Sequence, residues 1–122
     1  MSDSILGSIK SALNISSDDT SFDQDVIMHI NSVLGKVNQL GVGPAQGFMI
    51  TDGTATWTAF LAGDIRLNMV RSYMYLCVRL LFDPPGTSFA ITAIEKQIEE
   101  AAWRINVQRE EEKWMEPPMS IQ

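Results

Sequence analysis

The stretch Ile65–Pro85, IRLNMVRSYMYLCVRLLFDPP, decides how this chain is read. Wound at the ~3.6-residue helical period, its apolar residues Ile65, Met69, Val70, Tyr73, Met74, Leu76, Cys77, Val78, Leu80 and Leu81 cover most of the circumference. Asn68, Ser72, Tyr75 and Arg79 fall on one narrow polar stripe. A helix so broadly apolar is wrapped by its neighbours, so it is expected at the centre of a bundle. Asp64 can cap its start, and Asp83-Pro84-Pro85 stops it, because the residue before a proline avoids the helical region.

The neighbours lie on both sides. Upstream, Ser21-Phe22-Asp23-Gln24 matches an S-x-x-Q capping box, with Asp23 and Asp25 favourably placed in the first turn. The helix it opens carries Phe22, Val26, Ile30, Val33, Val37 and Leu40 on one face, with Ile27 and Leu34 at the edge, and Gly41 is its C-terminal stop. Further upstream, Ile5, Leu6, Ile9 and Leu13 predict a short amphipathic helix over 4–13, packed on the edge of the bundle. The polar connector NISSDDT, 14–20, joins the two.

Downstream, Thr87 or Ser88 caps a last helix whose core face is Ile91, Ile94, Ile98, Ala101, Ala102 and Ile105. On that side Arg109 and Glu112 follow, and charges cannot stay in a dry core without partners. Beyond about Asn106 the helix is therefore expected to run past its own bundle. From Ser88 to Lys113 it would span ~39 Å at ~1.5 Å per residue. Phe89, Trp103, Val107 and Trp114 form a second apolar line on the opposite side. This line must face solvent, a loop or another molecule. The reading divides the chain into a helical domain, 1–108, and a helix end with a flexible tail, 109–122.

Between the second and the central helix, Gly41–Gly63 holds five of the eight glycines. Asp52-Gly53 between FMIT and TATW signals a hairpin turn joining two very short strands, and Trp57–Leu61 can form one helical turn. A loop of this length in a small domain is usually functional or an interaction element. Phe48, Trp57 and Phe60 are expected to lie back on the core, with an exposed contact at Trp57 as the weaker alternative. The fold class is all-α: a small bundle of about four helices with a long glycine-rich loop.

With 122 residues the chain makes one domain, and a net charge of −6 opposes phosphate gripping, for which a basic patch is the usual sign. Cys77, the single cysteine, cannot form an internal disulfide and reads as a buried thiol, suited to a reducing cytoplasm. No segment approaches the ~20 apolar residues that span a bilayer, and no signal peptide opens the chain, so no membrane partner is expected.

Signatures of chemistry are sparse. There is no P-loop, Rossmann glycine pattern or nucleophile elbow. His29 stands four residues after Asp25, which suits a weak helix-stabilising pair better than a dyad or metal site. Glu110, Glu111 and Glu112 are consecutive, so they point in different directions and do not converge on one ion. Glu100 and Arg104 should pair on the helix surface. No catalytic residue, metal or cofactor is expected. What the sequence offers in surplus is apolar: Trp103, Val107, Trp114 and Met115 lie at or beyond the end of the core face, and tryptophan is enriched at contacts between subunits.

The order of these pieces is similar to a known family. SSDDTSFDQDV before the second helix, LGVGP, Trp57 with Phe60 and Leu61, VRLLFDPP over 78–85 and a long last helix together resemble the small head–tail connector (adaptor) proteins of long-tailed bacteriophages. The resemblance covers roughly Ile5 to Arg109, and LLFDPP is its most specific part. Family members often carry a lysine near the position of Cys77, a departure that touches packing or an interface. The resemblance implies a small helical bundle without catalytic residues. It implies a cyclic homo-oligomer, commonly of twelve copies, beneath the portal protein. Such a ring joins the head to the next neck or tail-completion protein, with double-stranded DNA only as passing genome. The implied location is the virion head–tail junction, after assembly in the host cytoplasm. Two other readings remain open on the residues alone. One is a helical regulatory or nucleic-acid-binding module, opposed by the negative charge and dispersed arginines. The other is a small hydrolase or metal enzyme using His29 with Asp25.

Overall fold

The computed structural model describes residues 4–44, 46–61 and 67–115, with side chains as far as 107. Among the described residues five helices follow in order: α1 (Ile5–Ala12), α2 (Asp23–Gln39), α3 (Trp57–Leu61), α4 (Leu67–Phe82) and α5 (Ser88–Met115). Among the described residues there is no strand, only an isolated bridge between Ser4 and Thr56. No described helix is long and apolar enough to cross a membrane. The all-α bundle read from the sequence is the fold found.

The core is a seam between α2 and α4. Val26, Ile30, Val33, Leu34 and Val37 from α2 and Val70, Met74 and Val78 from α4 are buried, at the spacings of three and four that align one helix face. The two helices run antiparallel: Phe22, at the start of α2, meets Phe82, at the end of α4, edge to face with ring centres 5.5 Å apart. α4 lies between α2 and α5, the central position its sequence predicted.

Caps and stops follow local chemistry, with one correction. Gly41 takes φ +85°, and its N–H and that of Val42 donate back to the carbonyls of Asn38 (2.9 Å) and Val37 (3.3 Å). That is a Schellman stop, which needs the left-handed backbone that glycine adopts without strain. Asp83 ends α4, and Thr87 caps α5 by accepting the Ala90 N–H at 3.1 Å. The capping box at Ser21 is not formed. Phe22 occupies the N-cap position without a side-chain cap, because Ser21 turns backward and hydrogen-bonds the Asp19 carboxylate. The two donors from Ser21 hold the Asp19 carboxyl below its ordinary pKa. The expected cap at Asp64, and Ile65 and Arg66 after it, lie outside the described residues.

The N-terminal helix packs against α2, as an edge position predicts, and its apolar face joins the core. Ile5, Leu6 and Ile9 are buried. The glycine-rich segment closes over them, with the Ile5 N–H donating to the Ala55 carbonyl (3.0 Å) and Ser4 Oγ to the Gly53 carbonyl (2.8 Å). These bonds also explain why the hairpin at Asp52-Gly53 is absent. Asp52 instead accepts from the Thr54 N–H (2.9 Å) and hydroxyl (2.6 Å), a local turn that pulls its carboxyl pKa down. The residues after it then pair with the start of α1. Segments that short cannot bury a face by pairing with each other, and the N-terminus supplies a better partner.

Candidate assembly surface

His29 makes neither a hydrogen bond nor an ion pair with Asp25; its ring stands 6.4 Å from that of Phe82, edge-on, in the aromatic cluster at the end of the α2–α4 seam. The expected Asp25–His29 pair is thus replaced by a packing contact. Among the described residues no three of His, Cys, Asp and Glu come together as a metal would require. Burial pushes the Cys77 thiol above its usual pKa, the opposite of an activated nucleophile. A depression of about 630 Å³ lies between α1 and the turn after it, with Lys10 and Asp23 in its wall. Lys10 is only 5 % exposed. Its ammonium is already engaged, donating to the Asp19 carbonyl at 2.8 Å and pairing with Asp23 Oδ1 at 2.8 Å.

The long helix is where the surface changes character. Its inward residues Ile91, Ile94, Ile98, Ala101 and Ala102 are half-buried, and only Ile105 is fully buried. Among the described residues α4 is the main helix packed against it, and its core face is shallow. Its opposite side carries large apolar groups in the open: Phe89 is 85 % and Trp103 64 % exposed, with Val107 half-buried beside them. Phe89 and Trp103 lie two heptads apart, on one face. Tryptophan and phenylalanine are among the side chains enriched at contacts between chains. Glu100 and Arg104 pair at 3.6 Å on the same helix, with both side chains exposed, as their spacing predicted.

The other residues singled out by sequence divide. Trp57 is 1 % exposed, so it is not a contact surface. Its Nε1 donates to Ser8 Oγ (3.0 Å), and the Arg71 guanidinium stacks 5.2 Å over its ring. It ties α1, α3 and α4 together, as the core reading of the three aromatics expected. Trp114 and Met115 belong to the last turn of α5, and their side chains lie outside the described part, as do residues 116–122 entirely.

Sequence reasoning missed several exposed apolar side chains. Met28, Met49 and Leu81 lie on the surface, and Phe22 is largely exposed. Leu81 belongs to the apolar side of a helix expected to be wrapped by its neighbours, yet its side chain is 47 % exposed. No spacing signal marks Met28 or Met49, because each adjoins a buried apolar residue, Ile27 and Ile50 respectively, and the sequence does not say which of the two turns outward.

A family model described as phage connector protein matches residues 5–112 of the chain. Comparisons with curated proteins and with solved structures returned no match.

Proposed function

Since the chain belongs to the phage connector protein family over residues 5–112, we propose that it is the subunit of a ring, of about twelve copies, that sits under the portal and joins the capsid to the tail. The observation that carries this reading is the apolar outer face of α5, headed by Phe89 and Trp103, on a chain of that family. A closed ring needs heterologous side-to-side contacts, and a long helix covered on one side only offers a surface for them. The net charge of −6 suits a channel wall past which duplex DNA slides without sticking, since like charges repel. No catalytic step is assigned to it.

Residues 109–122, with Trp114 and Met115, are the segment assigned to portal docking. Truncation after Gln108 should leave cooperative thermal unfolding intact, because the buried residue Ile105 is retained. The same truncation should weaken binding to portal rings. Loss of cooperative unfolding would show that the removed segment folds back on its own domain.

The decisive experiment is electron microscopy of the purified protein, alone and mixed with portal rings. Rings of about a dozen subunits are expected in one or both samples. A protein that stays monomeric even with portal present would overturn the reading.

A further inference from the structure

Arg71 and Arg79 stand out in a chain of 15 acidic and 9 basic residues, because neither is in an ion pair among the described residues. With Tyr75 they follow at spacings of four along one edge of α4. The Arg71 guanidinium is half-buried over the Trp57 ring, and its one hydrogen bond among the described residues is a long one, 3.5 Å to Ser8 Oγ. Arg79 likewise meets only neutral oxygens, the Tyr75 hydroxyl and the Asp83 carbonyl, each at 3.4 Å.

Between α1 and α4 lies a cleft of about 220 Å³ whose polar lining is Ser8, Arg71, Ser72 and Tyr75, with no carboxylate among the described residues. Ser8 Oγ accepts from both Trp57 Nε1 (3.0 Å) and Arg71, so what it has left to offer is its own proton. Tyr75 accepts from Arg79, and its hydroxyl proton meets no acceptor among the described residues. The cleft therefore presents hydrogen-bond donors around a fixed positive charge, which is the chemistry of anion recognition. The buried Trp57 ring holds the guanidinium in place. A planar fork held this way can meet a carboxylate with two N–H groups at once.

The matching acids are on α5. Glu95 and Glu99 are exposed, like-charged and four residues apart, an arrangement that weakens a helix on its own. Neither is in an ion pair among the described residues, although Lys96 stands three residues before Glu99. Trp103 follows Glu99 by four, so both carboxylates share an edge with the exposed indole. Within one subunit the two sets of charges do not meet.

We propose that the cleft is a carboxylate-binding site filled by Glu99 of a neighbouring copy, with Glu95 at its rim, so that α5 of one subunit lies along α1 and α4 of the next; this rests on the ring reading above. Charge complementarity selects this occupant over duplex DNA. Two arginines on a chain of net charge −6 fall short of the basic patch that gripping phosphates needs.

The test uses full-length protein with the charges reversed. Arg71→Glu and Glu99→Arg, each alone, should need roughly 30-fold more protein to associate than the wild type, as when one member of a hydrogen-bonded interfacial charge pair is lost. Mixed in equal amounts, R71E and E99R match native Glu99 to native Arg71 and the reversed residues to each other. Rings of alternating subunits should then return in sedimentation and electron microscopy. Thermal unfolding checks that each variant is folded; if R71E is not, Arg71→Gln, whose planar amide can keep the stack on Trp57, replaces it in the concentration series. Rings formed by either single variant at wild-type concentrations overturn the site, and so does a mixture as unassembled as its components. Rings that survive R71E while a short DNA duplex loses affinity would assign the cleft to phosphate instead. A wild type that stays monomeric with portal present overturns the ring reading, and the pairing with it.

Discussion

Helices α2 and α5 make opposite use of their length. α2 has 17 residues and buries Val26, Ile27, Ile30, Val33, Leu34 and Val37. α5 has 28 residues, and of its described side chains only Ile105 is fully buried. The shorter helix is held by the core and defines it. The longer one is laid against α4 along a shallow face and keeps large apolar groups outside. Apolar area removed from water stabilises by ~25 cal/mol per Å², so stability is concentrated in the α2–α4 seam and unspent apolar surface on α5. In a protein whose task is to join other proteins, that division separates what folds the subunit from what connects it.

The contrast is broken most directly by equal truncations in the two helices. Ile30→Ala removes side-chain volume from the seam at a position with no exposure, and should cost ~2–5 kcal/mol of unfolding free energy. Ile94→Ala, at a half-buried position of α5, should cost about 1 kcal/mol or less, since much of its side chain already meets water. Urea denaturation of both variants measures the difference. Similar losses would mean that α5 is as integral to the core as α2.

A second, smaller effect should appear at alkaline pH and belong to the seam alone. Tyr73 and Cys77 lie one turn apart on the buried face of α4. Burial, with the Cys77 thiol beside it, pushes the Tyr73 hydroxyl from 10.0 to about 12, and burial pushes the Cys77 thiol above 9.0. Both groups are acids whose neutral form the fold favours, so the unfolded chain releases their protons first. Their contribution is therefore complete below pH 9 and declines as pH rises through the raised values. Unfolding midpoints measured from pH 8 to 11 should fall, and Tyr73→Phe with Cys77→Ala should flatten the decline. An unchanged slope in the double variant would place the alkaline sensitivity elsewhere.

Legibility in the sequence followed the same contrast. Helices with strong periodic faces, α2 and α4, could be read with their stops, because Gly41 and Asp83-Pro84-Pro85 act through local backbone chemistry. What could not be read depended on partners distant in sequence. Lys10 looked like an ordinary polar residue of α1, and nothing in its neighbourhood announces that Asp19 and Asp23 will meet its ammonium. Ser21 is a local exception: it has the right spacing for a capping box, but Asp19, two residues before it, takes its hydroxyl. The Asp52-Gly53 turn was visible, whereas its alternative partner, the start of α1, lies about fifty residues away. On the surface, Trp103 could be picked out because the core face of α5 was already assigned.

The smallest expected effect sharpens the comparison best. Trp103→Ala deletes one of the largest side chains in the protein, and in a core such a deletion costs ~3–5 kcal/mol. Here the indole is 64 % exposed, and it has no ring partner or hydrogen bond among the described residues. Its loss should shift unfolding free energy by no more than about 0.5 kcal/mol, the range of surface substitutions away from special features. Any large consequence must then appear between molecules, where a buried aromatic anchor outweighs most of the contacts around it. Thermal unfolding of W103A at low protein concentration isolates the subunit from its assembly. An unchanged melting temperature would place Trp103 with the connecting surface, while a drop of several degrees would place it with α2 and α4 in the machinery of the fold.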